Sequence, residues 1–413
     1  MLGHLNTNAR EVTIIGAGYA GLLSAYRLLN AGYNVTIHEK SDRTGGLIAT
    51  KQTPYGPAEL AAHSIRSSSE ILKLFDELKL DYVSAKTKKK FILRDGKLKG
   101  NPLSLWEMFT AGCYAGFKKS DGDYLTLADW TKAHVGPGAV DNAMAPLAHG
   151  IYAAEPEELD QQLAFPRLTI PKDKTLVDKV FRNKTLAEKS VVIAPAHGMN
   201  GLIEKLTAFV QNHPNGNIVF NSDLRILPIA ANLVISTPAQ VAGHLIGSDR
   251  LANIKYAPMV SVTAFVKKTD IRKLDGIGVL NARGEDKKIL GILFNSSTFD
   301  HRAEKDFISM TVMMGGTVNP DILNASDQEI ENIIRSELAR ILGFKGDFLD
   351  LHISRWENAI PLYSAELRET LEELRQGWCA AAGHVLFGNY TGEVSIRGMC
   401  QSSLELGLAL VDR

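Results

Sequence analysis

The sequence predicts an α/β fold. Three observations support this prediction: a nucleotide-binding pattern near the N-terminus, helix start signals in the middle of the chain, and strand patterns further along. Residues 12–46 read as strand, glycine loop, helix and second strand. Helix start signals cluster between about 100 and 190, and buried-strand patterns recur between 256 and 314. A length of 413 residues is enough for two domains. We therefore expect a Rossmann-like nucleotide-binding domain, a second domain with a mixed sheet, and a helical insertion.

The glycine motif near the N-terminus follows a short apolar run, Val12–Ile15, that suits a strand buried on both faces. Gly16, Gly18 and Gly21 form the pattern G-x-G-x-x-G. In a dinucleotide-binding turn the first glycine permits the tight turn and the second lets the backbone approach a pyrophosphate. The third lets the helix pack against the strand. The motif therefore predicts a bound dinucleotide.

An acidic residue stands at the distance that such a unit requires. Leu22–Leu29 predicts the helix whose N-terminus faces the pyrophosphate, Gly32 ends it, and Val35–His38 predicts the second strand. Glu39 follows at the tip of that strand, where a carboxylate accepts both ribose hydroxyls. Strand, helix and acid together make this interpretation much stronger than the glycine pattern alone.

A second glycine-rich segment narrows the choice of dinucleotide. Arg43-Thr44-Gly45-Gly46 comes soon after Glu39, and its adjacent glycines permit another close approach of backbone to a long cofactor. Here the chain resembles the FAD-dependent amine oxidase and protoporphyrinogen oxidase superfamily, whose members carry R-x-G-G after the ribose-binding acid. The resemblance implies a non-covalently held FAD rather than an exchanging NAD.

Composition and charge limit the kinds of partner and site that this chain can have. The chain has 46 basic and 46 acidic residues and a formal net charge of +0, which gives no argument for nucleic acid. Cys113, Cys379 and Cys400 are too few and too scattered for a disulfide framework or a metal site. The N-terminus lacks the apolar segment of a secretory signal, and no stretch reaches the ~18 apolar residues of a spanning helix. We expect a cytoplasmic protein, with peripheral attachment to the inner face of the membrane left open.

The expected domains are discontinuous. Residues 1–85, 195–250 and 380–413 are expected to form the FAD-binding domain, 86–194 the helical insertion and 251–379 the substrate-side mixed-sheet domain. Helices are expected at 69–78, 126–134, 141–152, from 156 onward, 199–211, 327–342, 364–375 and 402–411. Strands are expected in a hairpin over 88–99 and at 233–236, 256–266, 276–280, 288–294, 309–314, 349–356 and 384–387.

The resemblance extends along nearly the whole chain, in the order of the protoporphyrinogen oxidases. The matching blocks are P-L-A-H-G-I-Y-A-A (146–154), E-E-L (157–159), F-P (165–166), H-G-M-N-G-L (197–202), R-W-E-N-A-I-P-L-Y (355–363) and G-N-Y-T-G-E-V-S-I-R-G-M-C-Q-S (388–402). The last block resembles the C-terminal flavin motif of the superfamily. A turn at 392–395 that opens into a helix would aim backbone N–H groups at the pyrimidine side of the flavin.

The resemblance carries a set of site residues over to this chain. The expected FAD contacts are Gly16, Gly18, Tyr19, Ala20, Gly21, Glu39, Lys40, Arg43, Gly45, Gly46, Leu47, Ala62, Ser64, Trp356, Gly388, Asn389, Val394, Ser395 and Ile396. The expected substrate contacts are His63, Ile151 and Tyr152. No catalytic side chain and no metal ligand is assigned, because the flavin carries the chemistry in this family.

The resemblance also implies a reaction, the oxidation of a porphyrinogen in haem biosynthesis. Protoporphyrinogen oxidases remove six electrons in three two-electron steps, each as a hydride passed to the flavin. Oxygen reoxidises the flavin and yields hydrogen peroxide. The choice between proto- and coproporphyrinogen stays open, as does a homodimer.

Two departures from the family pattern stand out. The family's acid-x-G-P-x-(S/G) turn reads Glu59-Leu60-Ala61-Ala62-His63-Ser64 here, and the region between Phe220 and Leu233 is short. His63 either contacts a propionate or is a core histidine. Leu103–Phe117 is either core or a surface for membrane docking and substrate entry. A packing role is also an alternative for Trp356 and for 150–152.

Other functions on the same fold are amine oxidation, carotenoid-type desaturation and flavin binding without turnover. Met259–Val266 offers no lysine before Lys267, and Met399 stands where the family's C-terminal motif often has tyrosine. Both observations disfavour an amine substrate. The altered turn at Ala61-Ala62 keeps the non-catalytic alternative open.

Overall fold

The computed structural model describes residues 1–6, 8–182, 190–285 and 288–408. The strands are β1 (Leu2–Gly3), β2 (Glu11–Ile15), β3 (Asn34–His38), β4 (Thr50–Thr53), β5 (Gly56–Glu59), β6 (Ile65–Arg66), β7 (Tyr82–Ser84), β8 (Phe91–Arg94), β9 (Lys97–Lys99), β10 (Val192–Pro195), β11 (Gly216–Val219), β12 (Leu233–Ile235), β13 (Tyr256–Lys267), β14 (Gly278–Asn281), β15 (Gly291–Leu293), β16 (Phe307–Gly315), β17 (Asp350–Pro361) and β18 (His384–Leu386). The helices are α1 (Tyr19–Asn30), α2 (Ser69–Glu77), α3 (Leu105–Phe117), α4 (Leu127–His134), α5 (Ala145–Tyr152), α6 (Gln161–Ala164), α7 (Leu176–Arg182), α8 (Asn200–Asn212), α9 (Ala239–Ile246), α10 (Asp249–Ala252), α11 (Asn295–Thr298), α12 (Asp327–Leu342), α13 (Ala365–Gln376), α14 (Ile396–Ser402) and α15 (Leu404–Leu408).

The first sheet has the strand order β1-β18-β12-β2-β3-β11. All neighbours are parallel except β1, which pairs antiparallel with β18. α1 leads from β2 to β3 and buries Leu22, Leu23 and Leu28 completely. This order confirms the Rossmann-like prediction and the return of the chain at β12. β1 and β11 were not predicted, because a two-residue strand and the mixed sequence G-N-I-V carry little periodic signal.

The second sheet has the order β17-β13-β16-β15-β14-β8-β9. Its longest interior strand, β13, alternates between two buried environments. Val260, Val262 and Ala264 pack with α12, whereas the Thr263 hydroxyl donates to the Glu59 carbonyl of the first domain at 3.3 Å. The mixed second sheet is therefore confirmed, with one face packed against α12 and the other contacting the β4–β5 hairpin.

The hairpin expected over 88–99 forms as β8 and β9. Asp95 and Gly96 both have positive φ, 56° and 68°, as a two-residue hairpin turn requires. β8 pairs in parallel with β14, so the hairpin lies at the edge of the second sheet. Its assignment to the helical insertion is corrected accordingly.

α3 resolves the two interpretations of the aromatic run 103–117. The helix begins at a capping box formed by Ser104 and Glu107, and none of its residues is buried. Trp106, Phe109 and Phe117 are 71%, 63% and 86% exposed. The core interpretation of this run is therefore wrong. Among the described residues, no helix has both the length and the apolar character needed to cross a membrane.

Three expected helices differ from the structure. The helix expected from Pro156 is absent. The carbonyls of Pro156 and Leu159 accept the Ala128 and Leu127 N–H groups of α4, so they do not form the hydrogen bonds of a separate helix. A π-helical turn, Val140–Met144, precedes α5 in the segment expected as one helix. The closing helix begins earlier than expected, as α14 and α15, and 409–411 lie outside the described residues.

A buried ion pair joins the β4–β5 hairpin to the segment that follows α11. Arg302 donates from Nη1 to Glu59 Oε1 at 2.7 Å, and the two side chains are 2% and 4% exposed. The Met199 N–H and the Thr50 hydroxyl donate to the same carboxylate at 2.9 and 2.6 Å. These bonds hold the β4–β5 hairpin between the start of α8 and the segment that follows α11.

We predict that Arg302→Met lowers the free energy of unfolding by about 3–5 kcal/mol, because it leaves the Glu59 carboxylate buried without its cation. Chemical denaturation followed by circular dichroism measures the change. The double variant Glu59→Leu, Arg302→Met should recover part of the loss, since neither charge remains.

The control for this prediction is Arg250→Met, which removes an arginine paired with Glu369 and Glu373 on the surface. Its unfolding midpoint should stay close to that of the wild type. Equal losses in Arg302→Met and Arg250→Met would contradict a special contribution from the buried pair.

Candidate functional site

The glycine loop between β2 and α1 has the geometry expected of a phosphate-binding turn. Gly16 has φ of 101°, a conformation that side-chain-bearing residues rarely adopt. A Cβ on Gly21 would lie 1.9 Å from the Gly16 carbonyl oxygen, so only glycine lets α1 pack there. A Cβ on Gly18 would meet nothing within 4 Å. The loop therefore leaves open space at its second glycine, where a ligand can approach the backbone.

Glu39 lies against this loop at the end of β3. Its Oε2 accepts the Ala17 N–H at 2.7 Å, and its Oε1 accepts the Ser41 N–H and hydroxyl at 2.9 and 2.7 Å. The carboxylate is thus fixed at the carboxyl ends of β2 and β3, where a ribose would lie. Lys40 next to it is exposed.

The R-T-G-G segment packs directly against the glycine loop. Gly45 forms a parallel bridge with Gly18 and donates its N–H to the Ala17 carbonyl at 2.8 Å. A Cβ on Gly46 would lie 3.4 Å from the Gly18 Cα. Arg43 donates to the carbonyls of Thr44 and Gly46 at 3.2 and 2.8 Å, which holds the turn.

The C-terminal motif reaches the same edge of the sheet. Tyr19, the first residue of α1, donates its hydroxyl to the Ile396 carbonyl at 3.2 Å. Ser395 caps α14 by accepting the Gly398 N–H at 3.0 Å. Upstream in this motif, the Asn389 carbonyl accepts the Tyr363 hydroxyl at 2.6 Å. The structure therefore brings the three glycine-containing segments together, although 372 residues of sequence separate Gly16 from Gly388.

The remaining expected cofactor residues differ in exposure. Ala20 is buried at the start of α1. Half-buried residues are Leu47, Ala62, Val394 and Trp356, and Ser64 is exposed.

Trp356 lies on β17 and holds the turn that follows β5. Its indole N–H donates to the Leu60 carbonyl at 2.9 Å. The Thr263 hydroxyl on neighbouring β13 contacts the preceding carbonyl, that of Glu59. The second sheet therefore fixes the turn 60–64, whose residues Ala62 and Ser64 are expected at the flavin.

Two residues of α5, Ile151 and Tyr152, were expected to contact the substrate, and they have different surroundings. Tyr152 is 4% exposed, donates to the Ala164 carbonyl at 2.7 Å and packs against Tyr363 with ring centroids 4.9 Å apart. These contacts favour the packing interpretation of Tyr152, since its hydroxyl is already used. Ile151 is 39% exposed. Gly150 packs α5 against β14, because a Cβ there would lie 3.0 Å from the Leu280 side chain.

Two features of the site were missed from the sequence. Ser236 follows β12 directly beside Gly16 and Gly21, and its buried hydroxyl has no hydrogen-bond partner among the described residues. An open cavity of about 380 Å³ lies next to the R-T-G-G segment, lined among others by Asn200 and Phe220. The rule that ligands bind at the carboxyl ends of parallel strands would have pointed to Ser236.

Comparison with known proteins agrees with this geometry. The family model of flavin-containing amine oxidoreductases matches residues 19–399. Protoporphyrinogen oxidase 2 of Arabidopsis thaliana is 25% identical and the match covers 94% of this chain and 91% of the relative. Coproporphyrinogen III oxidase of Staphylococcus aureus is also 25% identical, over 86% of this chain and 88% of the relative.

A solved structure shares the fold along nearly the full length of both chains. The protein comes from Exiguobacterium sp. 255-15 and was crystallised as a proposed protoporphyrinogen oxidase. Its TM-score is 0.80 at 19% identity, and the match covers 97% of this chain and 99% of the other. Because the family model extends from the first residue of α1 into α14 and the glycine loop fits a dinucleotide, the chain belongs to the flavin-containing amine oxidoreductases and is a flavin-dependent oxidoreductase.

Proposed function

We propose that this chain is an FAD-dependent porphyrinogen oxidase that uses O2 as electron acceptor. The observation that carries the proposal is the match to relatives named protoporphyrinogen and coproporphyrinogen oxidase over most of both chains. The motif blocks G-I-Y-A and R-W-x-x-x-I-P-x-Y, which resemble those of protoporphyrinogen oxidases, support it. We also propose that 1–85, 195–250 and 380–413 bind FAD, with the hairpin 88–99 reassigned to the substrate-side sheet.

Non-covalent FAD is supported by the chemistry of the residues at the glycine loop. Backbone N–H groups at Gly18 and the start of α1 suit a pyrophosphate. Glu39 suits a ribose, and Ser236 offers a free hydroxyl beside the loop. The bound flavin supplies the hydride acceptor. The protein then has to hold an apolar substrate beside it and exclude water.

Apolar side chains pack tightly next to Trp356 on the second sheet. A buried cluster made of Ala153, Ala257, Met259, Leu290 and Ala359 joins the end of α5 to the second sheet. Trp356 and Ile360 pack against this cluster.

Two observations weigh against an amine substrate. Lys267 lies at the exposed end of β13, paired with Phe307 and far along the strand from Met259. Met399 is 7% exposed and packs in the core of the first domain. Neither position therefore supplies the lysine or the aromatic cage that amine oxidases often use.

We further propose that α3 attaches the protein to a membrane surface. Leu105, Trp106, Phe109 and Phe117 are exposed on one helix, and Lys118 and Lys119 follow it. Aromatic side chains beside lysines suit the boundary of an anionic bilayer.

The first test is an aerobic assay of FAD-loaded protein with protoporphyrinogen IX and, separately, coproporphyrinogen III. Porphyrin fluorescence should rise well above the spontaneous rate with one of them, and hydrogen peroxide should accumulate with it. Bound flavin that stays oxidised with both substrates would contradict the proposal. That outcome would favour another apolar substrate or a non-catalytic role.

We predict that Glu39→Ala weakens FAD binding at least about tenfold, because the ribose loses its carboxylate acceptor and the loop loses its bond at Ala17. Flavin fluorescence titration of the apoprotein measures the dissociation constant. Glu11→Ala is the matched control, since the Glu11 carboxylate accepts from the Asn34 side chain and lies at the opposite end of β2 from the glycine loop. Unchanged flavin content in the Glu39 variant would refute the assigned ribose contact.

We predict that the double change Trp106→Ser, Phe109→Ser lowers binding to phosphatidylglycerol-containing vesicles at least about tenfold, because it removes two aromatic side chains from the apolar interface. Cosedimentation measures the partition. The control is Ile226→Ser, Ile229→Ser, which removes two exposed isoleucines elsewhere. Equal loss in both variants would argue against a docking role specific to α3.

A further inference from the structure

The side chain of His63 lines a small, partly open cavity beside the turn 60–64. The cavity has a volume of about 20 Å³ and is lined by the polar residues His63, Ser64, Glu59, Arg302, Asn295 and Thr298, together with apolar side chains. Both ring nitrogens of His63 are buried and lack a hydrogen-bond partner among the described residues. A polar side chain buried in this way is costly unless something in the cavity pairs with it.

The charges around His63 determine what can pair with it. Burial and the adjacent Arg302 cation lower the pKa of His63 to about 4, so the ring is neutral near pH 7 and keeps one acceptor nitrogen. Glu59 already accepts from Arg302, from the Met199 N–H and from the Thr50 hydroxyl. A guanidinium carries five N–H groups, and the side-chain bonds of Arg302 to Glu59 and to the Pro195 carbonyl use two. Arg302 therefore retains N–H groups that can donate to a molecule in the cavity.

We propose that this cavity binds a single internal water molecule, which accepts from Arg302 and donates to His63, and that His63 is thereby a positioning residue for the turn 60–64. The volume exceeds the ~10–15 Å³ that one water molecule needs, and it is too small for a larger ligand. Arg302, His63 and the Thr298 hydroxyl give the water at least two polar partners.

The turn needs such a contact because the second sheet holds only its beginning. Thr263 bonds the Glu59 carbonyl and Trp356 bonds the Leu60 carbonyl. Ala61 and Ala62 carry no polar side chain that could anchor the next residues. A water bridge from His63 to Arg302 ties the second half of the turn to the ion pair between Glu59 and Arg302.

The test compares His63→Leu, which fills similar space without polar atoms, with His63→Gln, which can still pair with the water. Flavin affinity of the apoprotein is measured by fluorescence titration near pH 7. We expect about tenfold weaker binding in His63→Leu and recovery to within about threefold of wild type in His63→Gln. The control is His134→Leu, since His134 is also buried with unpartnered nitrogens but lies in α4. Its flavin affinity should be unchanged.

The pH dependence of stability reports whether the His63 ring is buried beside Arg302 in solution. The pKa of His63 is lowered in the folded protein, so the unfolded chain binds the proton more tightly and wild-type stability should fall as the pH drops from about 6.5 towards 4. Arg302 and Glu59 are the charged groups that face the ring in the described cavity. Both His63 variants should lose this component, and His134→Leu should keep it.

A crystal structure of the flavin-loaded protein provides the direct test. Density for one water molecule between His63 and Arg302 is the expected result. A dry cavity, or a ring turned out of it, would overturn the proposal. A higher KM in His63→Leu with unchanged flavin affinity and pH dependence would also overturn it, in favour of a substrate contact. Flavin affinity and stability need no porphyrinogen, so failure of the proposed function would leave these results interpretable.

Discussion

The buried ion pair between Glu59 and Arg302 ties the β4–β5 hairpin to the segment that follows α11. Removing two charges from water is expensive, and their mutual attraction offsets that cost only when the geometry is good and further hydrogen bonds satisfy the remaining atoms. Here Thr50 and the Met199 N–H donate further hydrogen bonds to the carboxylate, and the Pro195 carbonyl accepts a second N–H of the guanidinium. Because each of these groups belongs to a different segment, β4, β10 and the start of α8 are held in register with the second domain.

The site above this pair is built mainly from backbone. Gly16, Gly18 and Gly45 meet where the parallel strands end, and their lack of side chains leaves room for a long cofactor. Glu39 is the charged side chain placed directly on this loop, and it is oriented by bonds to Ala17 and Ser41 before any ligand arrives. Such preorganisation lowers the ordering cost of binding.

Local patterns explain which parts could be predicted from the sequence. The glycine loop, α1 and Glu39 depend on spacing within one short segment, and the Asp95-Gly96 hairpin depends on two adjacent residues. β11 and Ser236 depend on contacts with β3 and with Gly16, which are distant in sequence. The same holds for Tyr152, because its partner Tyr363 comes 211 residues later. α3 was ambiguous because an aromatic run has the same composition on a surface as in a core.

The pairing of β8 with β14 has a consequence for how this fold can vary. The chain leaves the second sheet at the β8–β9 hairpin and passes through α3 and α4. It returns to the same side of the sheet where α5 packs on β14 through Gly150. Arg283, just after β14, pairs with Asp141 and Glu155 at 3.0 and 2.8 Å on the returning segment. The segment therefore leaves and returns next to the same strand, β14. We call the helices between these two points, α3 and α4, the cassette. The exposed surface of α3 can change in evolution or by design, whereas Leu127 and Trp130 of α4 pack in the same core as β12 and β18 and constrain the rest of the cassette.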